Sequence, residues 1–95
     1  SFAAVVAPPP VMVRTPDAGP PIDGVDRLGD RELAAIRTFL SRPGLAPPLR
    51  ARLAGDMSNR LLDRMQVPVN APERQWAAEL FLERLYLQLG ARGSR

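Results

Sequence analysis

Acidic and hydroxyl side chains are the groups in this sequence that could do acid–base or nucleophilic chemistry. Two pairs of carboxylates have helical spacing, Asp56 with Asp63 and Glu79 with Glu83. In principle such a pair could share the roles of general acid and general base. Arginines lie close to each pair in the sequence, however, so we expect these carboxylates to form solvated ion pairs. The pattern predicts no catalytic residue and a protein that is not an enzyme.

Histidine and cysteine are both absent from the 95 residues. Without histidine the chain lacks the commonest general base and the commonest metal ligand. Without cysteine it has no disulfide and no thiolate chemistry. The acids do not have the spacing of a calcium loop, no glycine-rich phosphate loop is present, and Ser41 and Ser58 have no base to activate them. We therefore predict neither a metal nor any other cofactor.

Every basic residue of the chain is arginine, and the net charge is +3. Arginine suits phosphate and carboxylate contacts, although a GC-rich coding bias produces the same composition. The residues that could contact an anion or nucleic acid fall on the second predicted helix: Arg50, Arg52, Arg60 and Arg64. The connection before it, residues 42–48, has too many prolines for the tight turn of a helix-turn-helix. Amide side chains that read bases are also scarce, so nucleic acid is the less favoured partner.

The elements that carry these side chains are an extended arm and three helices. Residues 1–29 are rich in proline and glycine, which excludes a helix or a central strand and predicts extended structure. This segment is either a linker or an arm that packs on the domain. The aliphatic residues that would pack are Val5, Val6, Val11, Met12, Val13 and Ile22. Thr15 precedes Pro16 and is a candidate phosphorylation site.

Three helices follow the arm and define an all-α domain over residues 30–91. The first spans 30–42 with Asp30 as its N-cap, and the second spans 47–66 with Pro47 in its first turn. The third spans 70–90, with Asn70 as N-cap, Glu73 completing a capping box, and Gly90 as the C-terminal cap. Residues 92–95 are predicted to fray.

The third helix carries two apolar stripes, whereas a helix on a small domain needs only one. One stripe is Phe81, Leu82, Leu85 and Leu89, and the other is Trp76, Leu80 and Leu87, with Glu83 at its edge. Either the arm or the first helix covers the second stripe, or a partner protein or a second copy covers it. In the second case Trp76→Arg would abolish self-association without unfolding the domain, and in the first it would unfold the chain.

The run from Leu28 to Leu62 resembles the cytoplasmic C-terminal extension of actinobacterial RDD-family membrane proteins. The matching pieces are Leu33–Arg42, Leu45–Pro48, Arg50–Leu53 and Val67–Pro72, while the third helix is longer and more apolar than the resemblance implies. The resemblance places the domain on the cytoplasmic side of a cell membrane. It carries over no functional residue, because the membrane positions that name the family do not occur in this chain.

Together these patterns predict a non-catalytic interaction or regulatory domain, and the resemblance implies that it belongs to a bacterial membrane protein. Its partner-binding residues would be Trp76, Leu80, Glu83 and Leu87, with a homodimer through the third helix as one form. The alternatives are a small helical nucleic-acid-binding domain and a subunit that folds only on joining a larger complex. No stretch of the sequence is apolar for long enough to span a membrane, so the membrane would be reached only through a part of the protein outside this chain.

Overall fold

The structure, a computed structural model, describes residues 10, 11, 13–15 and 17–93. Its helices are α1 (Asp30–Ser41), α2 (Pro47–Arg64) and α3 (Ala78–Gly93), with short 3₁₀ turns at Val25–Arg27 and Pro72–Gln75. The described residues contain no strand, which confirms the predicted all-α class. No helix among them is both long and apolar enough to cross a bilayer.

The first two helices lie within two residues of their predicted ends, although their caps differ. Gly29, rather than Asp30, is the N-cap of α1, and its N–H donates to Oε1 of Glu32 at 2.6 Å. α2 ends in a Schellman motif, in which Gln66 adopts φ 60° and the N–H of Val67 donates to the carbonyl of Leu62 at 3.0 Å. Val67 is buried beside this turn, so α2 ends where the chain returns to the core.

The third helix begins eight residues later than predicted, and both of its predicted caps are wrong. Asn70 lies in a turn, and the proline that follows opens the 3₁₀ turn instead of a helix. Trp76 then has φ −69° and ψ 150°, an extended conformation that stops helical propagation before Ala78. Gly90 lies inside α3, which continues to Gly93 and thus into the tail that was expected to fray.

α3 is the central element of the fold, because it packs against both α1 and α2. Its first stripe forms the middle of the core as predicted, with Phe81, Leu82, Leu85 and Leu89 all buried. The helices around it contribute Ile36, Phe39, Leu40, Ala54, Leu61, Leu62 and Met65.

The arm, residues 10–24 as far as they are described, belongs to the same core. Ile22 is only 3% exposed, and Val11 and Val13 pack against the core cluster. Of the aliphatic residues predicted to pack, these three do so, while Val5, Val6 and Met12 lie outside the described residues. The arm is therefore a packed segment of the domain over this range.

Candidate interaction surfaces

Glu83 holds the arm to the side of α3 that faces away from the core stripe. Its side chain is charged yet only 4% exposed. Its Oε1 accepts hydrogen bonds from the backbone N–H groups of Arg14 at 2.9 Å and Thr15 at 3.0 Å. A buried carboxylate is tolerated when such charge-assisted bonds replace its water shell. Glu83, predicted to bind a partner, is thus occupied by the chain's own arm.

Gln88 forms a second attachment, five residues after Glu83 on α3. Its Oε1 accepts the N–H of Ile22 at 3.1 Å, and its Nε2 donates to the carbonyls of Ala18 at 2.8 Å and Pro20 at 2.9 Å. All the bonds that Glu83 and Gln88 make with the arm go to backbone atoms. The prolines of the arm remove donors that strand pairing would need, and these two side chains supply the partners instead.

Arg84 lies between these two attachments and is sandwiched by Trp76 and Gly19. The guanidinium carbon is 4.5 Å from the centroid of the Trp76 ring, within the range of a cation–π contact. Gly19 has φ 69°, and a Cβ built on it would lie 2.8 Å from Arg84 Nε. Glycine is therefore favoured at this position, because any other residue would be strained at this φ and would displace the end of the Arg84 side chain. We name the set Glu83, Arg84 and Gln88 the clamp.

The structure separates the residues predicted to form the second stripe. Trp76 precedes α3, is partly buried against the core, and has its ring centroid 6.4 Å from that of Phe81. Leu80 and Leu87 do lie on α3, and both are partly buried. Leu87 opens on a surface that none of the described arm residues lines.

That surface is a groove of about 400 Å³ between α1 and α3. The residues that line it are Leu33, Arg37, Tyr86, Leu87, Gly90 and Ala91. Among the described residues, no atom lies within 4 Å of a Cβ built on Gly90. Its polar rim is a hydrogen bond from the Arg37 guanidinium to the Tyr86 hydroxyl at 3.2 Å.

The four arginines predicted as anion contacts do not form one free patch. Arg50 donates to Oε1 of Glu79 at 2.6 Å and lies over the Phe39 ring at 4.7 Å, so it joins the three helices to one another. Arg64 lies 3.7 Å from Glu32. Arg52 and Arg60 are exposed, but they share their side of α2 with the exposed carboxylates Asp56 and Asp63.

The two predicted carboxylate pairs are likewise placed in separate surroundings. Glu79 forms an ion pair with Arg50, and Glu83 bonds to the arm. Asp63 forms an ion pair with Arg74 at 3.1 Å. Within residues 10–93, as far as they are described, no group of three acids is placed to hold a metal ion.

Gly19, Arg84 and Gln88 were not predicted as site residues. One signal for them exists in the sequence: Arg84 and Gln88 form a polar edge that separates the two apolar stripes predicted on the third helix. Polar side chains at such an edge, together with a proline-rich segment that lacks backbone partners, indicate side-chain-to-backbone docking.

Comparisons of the chain with protein-family models, with curated proteins and with solved structures found no match. The resemblance of residues 28–62 to the RDD family therefore stays a prediction. Two features of the geometry bear on function, the clamp with its docked arm and the open groove between α1 and α3.

Proposed function

We propose that this domain is a non-catalytic interaction module that binds an apolar helix in the groove between α1 and α3. The observation that carries the proposal is the groove itself, in which Leu33, Tyr86 and Leu87 line a concave surface between α1 and α3. A helix that lays an apolar face into such a groove buries anchor side chains without changing either backbone. Tyrosine and arginine, which line this groove as Tyr86 and Arg37, are among the residue types enriched at interface hot spots.

The partner that we propose is a second copy of the chain. The groove has a large apolar side chain, Leu87, and a residue without a side chain, Gly90, three positions apart on α3. In a two-fold symmetric dimer, Leu87 of each copy would pack over Gly90 of the other copy, as an isologous interface requires. This form is the homodimer through the third helix that the sequence suggests.

The cellular setting that we propose is the cytoplasmic side of a bacterial membrane protein, where self-association of the module would regulate the membrane part. The support is the resemblance of residues 28–62 to the extensions of actinobacterial RDD-family proteins. Fluorescence of a fusion between the full-length protein and a reporter that matures only in the cytoplasm would test this location. It would not test the groove, which needs a separate experiment.

The experiment is sedimentation of the full chain over a concentration series, comparing wild type with Leu87→Arg. We expect the wild type to self-associate and Leu87→Arg to remain monomeric with an unchanged circular dichroism spectrum, because a charge in the groove opposes burial. Leu49→Arg is the matched control, since Leu49 is 44% exposed on α2 and lies outside the groove. A wild type that stays monomeric at the highest soluble concentration contradicts the proposal, as does equal association of the two variants.

A separate measurement adds mixed-sequence duplex DNA to the chain at low salt. Binding that falls steeply with salt would assign the function to Arg52 and Arg60 instead, because release of counterions gives that dependence. We expect no such binding, since acidic residues interrupt the exposed basic face of α2.

A further inference from the structure

We infer that the clamp on α3 is a binding site for an extended peptide segment, and that the arm of a second copy can occupy it in exchange for the chain's own arm. The inference deepens the proposed self-association by naming a second point of contact. The arm leaves its own α3, and residues 13–15 and 17–22 of the other copy replace it.

Recognition by the clamp does not depend on which chain supplies the arm. Its hydrogen bonds go to the N–H groups of Arg14, Thr15 and Ile22 and to the carbonyls of Ala18 and Pro20. These atoms must come in that order along an extended segment. The same segment is best accommodated with glycine where Arg84 crosses it, since the backbone there has φ 69°. The arm of a second copy meets every one of these requirements.

Exchange, rather than simple release, follows from what the arm buries. Ile22 is part of the hydrophobic core, and Val11 and Val13 pack against that core. An arm that left without a replacement would expose this apolar surface to water, which costs about 25 cal/mol per Å². A second copy's arm restores the same burial, so the exchanged dimer keeps the contacts of the monomer, as in domain swapping.

The connection between the arm and α1 has a residue that can act as the hinge. Gly24 has φ 89°, and it immediately precedes the 3₁₀ turn at Val25–Arg27. A Cβ built on Gly24 would lie 2.4 Å from the carbonyl oxygen of Met65, so this hinge touches the end of α2. In the exchanged dimer, different dihedral angles at this one residue would direct the arm to the other copy, while Leu28 and α1 occupy the same places as in the monomer.

Cross-linking between two nearly native variants tests the exchange. Arg14 and Ala77 are exposed and line one groove of about 630 Å³, and the chain has no native cysteine. Arg14→Cys and Ala77→Cys chains are purified separately, mixed, incubated and treated with a short bismaleimide. We expect covalent dimers on a denaturing gel from the mixture at several times the level that either variant gives alone. A mixture that gives no more dimer than the single variants overturns the inference.

Adding Leu87→Arg to both variants separates this inference from the proposed function. Cross-links that persist show arm exchange that does not depend on the groove, even if sedimentation has rejected the groove dimer. Cross-links that never form, in a chain whose groove dimer does form, reject the exchange and leave the proposed function in place.

Complementation gives a second measurement in full-length chains. Gly19→Val disrupts the arm and leaves the clamp residues unchanged. The double variant Glu83→Ala with Gln88→Ala removes the clamp's hydrogen bonds and leaves the arm unchanged. We expect each variant alone to melt at a lower temperature than the wild type, and the mixture to form a 1:1 heterodimer with one restored arm site and a raised melting transition. A mixture that melts as the sum of its parts overturns the inference.

Discussion

Glu83 shows how one residue decides the path of a whole segment. A carboxylate removed from water needs compensating donors, and in this fold the donors are two successive N–H groups of the arm. No arginine forms an ion pair with it within the described residues. The carboxylate therefore fixes where Arg14 and Thr15 cross α3 through hydrogen bonds alone.

Removing this carboxylate should destabilise the domain measurably. We expect Glu83→Ala to lower the free energy of unfolding by about 1.5–3 kcal/mol, the range for hydrogen bonds to a charged group. Urea denaturation followed by the fluorescence of Trp76, the only tryptophan of the chain, measures the change. Glu73→Ala is the control and should change stability by about 0.5 kcal/mol or less. Equal effects of the two substitutions would show that the arm bonds contribute nothing.

Glu32 gives the fold a dependence on acid pH. The Gly29 N–H, donated at 2.6 Å, holds the pKa of the Glu32 carboxyl below its ordinary value of 4.5 against the opposing effect of burial, and the Arg64 guanidinium adds to the lowering. A carboxyl with a lowered pKa in the folded state stabilises that state above pH 4.5. This contribution is lost as the pH falls from there through the folded-state pKa.

The expected outcome is a weaker acid dependence in Glu32→Gln. Wild type should lose stability as the pH falls below 4.5, whereas the variant should start from a lower stability at neutral pH and lose less over the same interval. Thermal melts between neutral pH and pH about 3 provide the comparison, since linkage ties the slope to protons bound on unfolding. Parallel curves for the two chains would contradict the assigned role.

At the scale of elements, the sequence was informative where local and tertiary preferences agree. α1 and α2 were predicted with their limits within two residues, because apolar periodicity, Pro47 and the breaker Pro43 all point the same way. The start of α3 was not predicted correctly. Asn70, Pro72 and Glu73 satisfy the local rules for a helix start, but Trp76 adopts an extended backbone and its ring packs beside Phe81 and Arg84. No local signal reports that tertiary contact.

The site follows the same division. The sequence indicated that the outer side of α3 is engaged and that the aliphatic arm could engage it, and it left open whether one chain or two would do so. The clamp itself could not be predicted, because the hydrogen bonds of Glu83 and Gln88 join residues more than sixty positions apart. Side-chain-to-backbone bonds of that separation leave no periodicity in the sequence.

The end of α2 carries a residue that its backbone does not favour. Gln66 has φ 60°, a left-handed conformation that costs a side-chain-bearing residue about 1–2 kcal/mol relative to glycine. We expect Gln66→Gly to raise the free energy of unfolding by about 0.5–1 kcal/mol after the added flexibility of the unfolded chain is subtracted. Gln66→Ala keeps the strain and should not stabilise. Denaturant titration of the wild type and the two variants measures these free energies of unfolding. If Gln66→Ala were also stabilising, backbone strain at residue 66 would not be the explanation.

At the scale of the whole molecule, we expect the arm and the three helices to unfold as one cooperative unit, because they share one hydrophobic core. The arm supplies Ile22 to the core and its N–H groups donate hydrogen bonds to side chains of α3, and the turn after it leads directly into α1 through the buried Leu28. A domain of this size has little stability to spare. The arm cannot then behave as an independent linker, and the state of the arm sets the state of the domain.

This cooperativity leads to an expected outcome for Ile22→Ala. Because Ile22 is 3% exposed in the core, its truncation should cost about 2–5 kcal/mol, a large share of the total for a small domain. Val69→Ala is the matched control, since Val69 is 85% exposed, and it should change stability by about 0.5 kcal/mol or less. Amide hydrogen exchange in the helices should accelerate in Ile22→Ala together with exchange at Arg14 and Thr15, because one unfolding event opens all of them. If only the arm amides exchanged faster while the helices kept their protection, the arm would be a separate unit docked on an independently stable helical domain.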